Sequence, residues 1–65
     1  MGKNIKFIKL RKGVGLTQRA LADRSGVNIR QVQKIEGGES CIGNIALSTA
    51  IKLADALNVD VKTLI

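Results

Sequence analysis

The chain has 65 residues, enough for one domain that buries only about 60% of its unfolded-chain surface, and 45% hydrophobic content with 2% aromatics requires an aliphatic core and argues against disorder. Its net charge of +6 is uneven: residues 1–34 carry nine cations against Asp23 alone, and residues 35–65 carry Lys52 and Lys62 against Glu36, Glu39, Asp55 and Asp60. A basic first half suits a polyanion, the other reading being a face that is merely solvated. No apolar run nears the roughly 18 residues of a membrane span. The start, MGKNIKF, lacks the apolar stretch of a signal peptide, and Lys6 stands where a myristoylation signal wants Ser or Thr. A cytoplasmic location is therefore expected. Without histidine, the lone Cys41 can build neither a zinc site nor a disulfide framework nor a Cys–His dyad. It is expected to be a small, partly buried side chain in a reducing compartment, a reactive thiol or intermolecular disulfide being the other reading.

Helical periodicity dominates, and strand signals are weak. Residues 3–12 form the first expected helix, with Phe7 and Leu10 inward, Lys6, Lys9 and Lys12 outward, and Gly15 as a left-handed stop. Thr17 is the expected N-cap of a second helix, QRALADR, broken by Gly26. Asn28 is the expected cap of a third, with Gln31 placed to complete a capping box. In that segment, NIRQVQKIE, Val32 and Ile35 fall on one side, about 60° apart, while Arg30 and Lys34 stack one turn apart on the other with Gln33 between them. Like charges at that spacing cost an isolated helix roughly 0.2–0.5 kcal/mol, so the arrangement asks for an outside partner. GGESCIGNIA then makes a loop, and LSTAIKLADAL a fourth helix with Leu47, Ala50, Ile51, Ala54 and Leu57 as its apolar stripe. Asn58 is its expected left-handed end, and Asp60 caps a short fifth helix in the tail.

The run LTQRALADRSGVNIRQVQKIE resembles the helix-turn-helix of the phage repressor and Cro-type DNA-binding family, and the resemblance extends over nearly the whole chain. Its marks are Gln18 opening the first motif helix, Leu21 and Ala22 at apolar and small positions, Gly26 at the turn, and Val27, Val32 and Ile35 at core spacings; ALNV followed by VKTLI resembles the closing helices. The resemblance implies one compact, all-α, five-helix lambda-repressor-like domain over residues 1–65 that binds double-stranded DNA as a transcriptional regulator, acting as a repressor in the simplest outcome. It also implies homodimers on near-palindromic sites with half-sites about 34 Å apart. Val59, Val61, Leu64 and Ile65 could supply a small apolar dimer contact or be only the last layer of the core.

Each candidate residue has a chemical reason. With Val32 and Ile35 docked, Asn28, Ile29, Arg30, Gln33 and Lys34 are the expected base-reading set: Arg30 suits guanine O6 and N7, Ile29 a thymine methyl, Asn28 adenine or phosphate, and Lys34 guanine or a phosphate farther along. Thr17, Gln18 and Arg19 at the start of the second helix are expected at phosphate, Thr17 also serving as a cap. The loop has no cation from Gly37 to Ile51, so its expected phosphate contacts are Ser40, Asn44 and backbone N–H groups, with a shallow salt dependence. The resemblance makes Arg11 and Glu36 a structural ion pair; Lys6, Lys9 and Lys12 add to the field.

No catalysis, metal, cofactor or small-molecule ligand is expected, since the chain lacks histidine, paired carboxylates on one element and a phosphate-binding glycine loop. RNA stacking is disfavoured because Phe7, the one aromatic, is needed in the core. A membrane-surface helix over 3–12 would leave the rest of the chain unexplained. The rival is the same fold used as a protein-interaction module or antitoxin-like partner, and the cations of the third helix favour DNA over it.

Overall fold

The structure is a computed structural model, and it describes residues 2–64. The order is α1 (Ile5–Gly13), α2 (Gln18–Ser25), α3 (Ile29–Glu36), a 3-10 turn (Ile42–Asn44), α4 (Leu47–Ala56) and α5 (Val61–Leu64), with no strand among the described residues. Four of the five α-helices start where a side-chain oxygen accepts an otherwise unpaired N–H. Asn4 Oδ1 accepts from Phe7 N (3.1 Å), Thr17 Oγ1 from Ala20 N (3.0 Å), Asn28 Oδ1 from Arg30 N (2.8 Å) and Asp60 Oδ1 from Lys62 N (2.9 Å). Asn4 thus sets the start of α1 two residues later than the periodicity suggests. At α3 the cap bond goes to the second helical residue, Arg30, and Gln31 makes no reciprocal side-chain bond, so the expected capping box does not form.

The turn between α2 and α3 depends on Gly26. Its φ is 74°, and its N–H donates to the Ala22 carbonyl at 2.9 Å. A Cβ in that backbone conformation would cost about 1–2 kcal/mol. Gly15 (φ 77°) and Asn58 (φ 59°) are left-handed as expected.

α2 packs against both α3 and α4, α1 lies on α3, and α5 on α4. Phe7, Leu21, Val32, Ile35, Leu53 and Leu57 fill the centre, and Leu10 rests half-buried against them. Small Ala22, Ala50 and Ala54 line the helix contacts, where a larger side chain would separate the backbones. The buried stripe of α4 is Ala50, Leu53, Ala54 and Leu57, which corrects the stripe expected from spacing. Leu47 and Ile51 are 62% and 41% exposed. At 100° per residue they lie about 70° and 110° from the centre of that stripe. Apolar residues cover so much of this helix that two overlapping stripes satisfy the same spacing, and packing against α2 and α5 selects the one that includes Leu53.

The loop after α3 is tied down by Ile42, which the 3-10 turn inserts into the core at 5% exposure. Cys41 just before it is exposed, contrary to the expected partial burial. Val59 and Val61 are half-buried against the core and Leu64 is buried, so these three form its last layer. Ile65 lies outside the described residues.

Candidate nucleic-acid interface

α3 is held at its C-terminal end by a buried polar cluster. Arg11, 9% exposed, donates through Nε to Glu36 Oε2 and through Nη2 to Glu36 Oε1 (3.0 Å). Its Nη1 donates to the Leu16 carbonyl at 2.8 Å, tying in the α1–α2 connection. Glu36, 4% exposed, also accepts from Gln18 Nε2 at 3.0 Å. The cluster joins α1, the first residue of α2 and the last residue of α3. No buried side-chain polar atom among the described residues lacks a partner, which is the condition for such a cluster to be tolerated.

With Val32 and Ile35 fully buried, the outer face of α3 is fixed by geometry. Asn28, Arg30, Gln33 and Lys34 are all exposed on or just before this helix, while Ile29 is half-buried against the core margin with only part of its side chain outward. Arg30 and Lys34 accordingly stand one turn apart with no ion-pair partner among the described residues.

Two grooves flank the start of α3 and share Gly26, Val27 and Asn28. The one toward α2 is bordered by Arg19, Asp23 and Ile29. The other, toward the loop and α4, brings Asn28, Ser40 and Asn44 together with Thr49 and Lys52. Thr17 is exposed but spends its hydroxyl oxygen as the α2 cap, and Gln18 is half-buried with one amide N–H committed to Glu36. A second Gln18 N–H remains for an outside acceptor.

Lys52 and Thr49 are the residues that sequence reasoning missed. The loop indeed has no cation from Gly37 to Ile51, but the next residue, Lys52, lines the same groove as Ser40 and Asn44. The available signal was the position of Thr49 and Lys52 three residues apart, on one flank of α4. This groove therefore carries a cation that the loop itself does not supply.

No cluster of metal-ligating side chains is present among the described residues, and no helix is long and apolar enough to cross a membrane. A helix pair joined by a tight glycine turn, the second helix docked by its apolar side with cations outward, is the arrangement of a major-groove reader.

The Helix-turn-helix family model matches residues 7–64. No curated protein matches the chain. The structure is similar to the crystal structure of the restriction-modification controller protein C.AhdI from Aeromonas hydrophila, with 33% identity and a TM-score of 0.80, over 92% of this chain and 86% of that one. The family match reaches from the third residue of α1 to the end of α5, taking in the glycine turn and the docked helix that follows it. By fold, motif and sequence, the chain belongs to the Cro/C1-type helix-turn-helix family, and it is a DNA-binding transcriptional regulator.

Proposed function

We propose that the protein reads a specific duplex sequence with the outer face of α3 in the major groove and regulates transcription, in the simplest case as a repressor that blocks polymerase. One observation carries this reading: the apolar side of α3 is fully buried while Asn28, Arg30, Gln33 and Lys34 stand exposed together. Arg30 is the guanine reader, Lys34 reaches guanine or a nearby phosphate, and Asn28 and Gln33 offer amides to base edges or backbone. Ile29 contributes only its outward portion to a thymine methyl. Thr17, Gln18 and Arg19 lie along one strand of the backbone, and Ser40 and Asn44, joined by Lys52, along the other. Arg11 and Glu36 hold α3 in place and do not touch DNA.

The protein carries out no chemistry and uses no cofactor or small-molecule ligand; it acts by occupancy in the cytoplasm. Its likeness to a restriction-modification controller supports a control role of that kind. The chain carries one α2–α3 helix pair and so one groove-reading face, so a two-fold-symmetric site with half-sites about 34 Å apart takes two copies. Of the exposed large apolar residues Ile5, Val14, Leu47 and Ile51, the last two lie one turn apart on the flank of α4 away from Lys52, and they are the pair suited to contact between the copies. Val59, Val61 and Leu64 are occupied in the core.

Selection of duplexes from a random pool at near-physiological salt tests the reading. Enrichment of a roughly two-fold-symmetric site supports it. Folded protein that enriches nothing would reject sequence reading and favour a protein partner for the same face.

A further inference from the structure

Residues 2–4 form a short strap across the end of α3. The Asn4 N–H donates to the Glu36 carbonyl at 3.0 Å, while the Asn4 side chain caps α1 through Phe7 N at 3.1 Å. Gly38 provides the seat for the other end. Its φ is 83°, and a Cβ there would overlap the Gly2 carbonyl, so the strap lies directly on the backbone of residue 38. Lys3 lies between these two fixed points.

The side chains around Lys3 give its position chemical meaning. It lines a cleft with Gln18, Gln33 and Glu36. Glu36 cannot neutralise it, because both carboxylate oxygens are engaged by Arg11 and Gln18 and the residue is 4% exposed. The one ion pair among the described residues is Arg11–Glu36. The cleft therefore combines an unneutralised ammonium with the spare amide N–H groups of Gln18 and Gln33, a donor set suited to an oxygen-rich anion. Gln18 opens α2, and Gln33 projects from the outer face of α3, so this cleft lies where the recognition surface meets its edge.

We propose that Lys3 is a further DNA-backbone contact, held by the strap so that its ammonium meets a phosphodiester beside Gln18 and Gln33. The proposal rests on α3 entering the major groove. It differs from the general field of Lys6, Lys9 and Lys12, whose side chains lie along the exposed side of α1. In Lys3 the backbone is restrained on both sides, which lowers the ordering cost of the contact.

The test is a titration of a duplex with wild-type protein, Lys3→Gln, Lys3→Arg and, as a control on α5 outside this cleft and the two grooves beside α3, Lys62→Gln, at several salt concentrations. Loss of one phosphate contact lowers the slope of log affinity against log salt by about 0.9 per bound protomer, or roughly eightfold at 0.1 M salt relative to 1 M. The expected result is that loss for Lys3→Gln, equally on selected and random duplexes, with Lys3→Arg near wild type and Lys62→Gln within twofold of it. An unchanged slope for Lys3→Gln, with wild-type binding intact, overturns this contact alone. A loss confined to the selected duplex overturns its assignment to phosphate. Wild-type protein that binds no duplex overturns the groove reading and the contact with it.

Discussion

Gln18 and Arg11 donate to the same oxygen of Glu36, Oε1, each at 3.0 Å. The first residue of α2 and the last residue of α3 are thereby bonded to each other at the edge of the surface proposed to meet DNA. The bond orients the Gln18 amide so that one N–H is fixed inward and the other is free for phosphate. It also makes the position of α3 depend on a buried carboxylate at the last residue of that helix.

Removing that carboxylate should be far more damaging than removing the amide. Glu36→Ala leaves the Arg11 guanidinium buried and uncompensated, at a cost of about 3–5 kcal/mol. That is a large share of the roughly 5–15 kcal/mol that holds a small domain together. Gln18→Ala gives up one hydrogen bond to a charged group and should cost about 1.5–3 kcal/mol or less, since both Arg11 bonds remain. Urea denaturation followed by circular dichroism measures both; equal losses would show that the cluster does not work as described. On DNA, Gln18→Ala should weaken specific and random duplexes alike.

Lys52 gives a prediction of a different kind. If the groove with Ser40 and Asn44 takes a phosphate, Lys52→Gln should lower the salt slope by about 0.9 per protomer while the ranking of sequences stays the same. Titrations at three or more salt concentrations decide the point. A changed sequence preference with an unchanged slope would assign Lys52 to something other than the backbone.

The exposed Leu47 and Ile51 should matter for assembly and little for folding. Replacing Leu47, 62% exposed, with Glu should change monomer stability by no more than about 0.5 kcal/mol, as at most surface sites. It should also abolish paired occupancy of a two-half-site duplex. Sedimentation of the protein with such a duplex reports the stoichiometry. Two protomers bound as tightly by Leu47→Glu as by wild type would place the self-contact elsewhere.

Much of this architecture was legible in the sequence because its signals are local. Thr17, Asn28 and Asp60 cap helices, Gly26 turns the chain, and Val32 and Ile35 fix which way α3 faces, each through a few neighbouring residues. The stripe of α4 was ambiguous because its apolar residues fit two registers, and only the packing partners choose between them. Lys52 and Lys3 escaped for another reason. Each is brought beside the recognition helix by chain distant in sequence, Lys52 by α4 and Lys3 by the strap over Gly38. Exposure of Cys41 likewise follows from the turn that sends Ile42 inward, a pairing no periodicity reveals.

The central claim is that α3 reads bases, and Arg30 carries it most directly. Site selection from one random pool, run in parallel with wild-type protein and Arg30→Ala, tests it. The expected result is a shared motif in which the variant loses its preference at one base pair per half-site, with a cost of about 1–3 kcal/mol on the wild-type site. A variant that selects the same motif and is weakened equally on every sequence would contradict the claim, and would make Arg30 one more contact to the backbone.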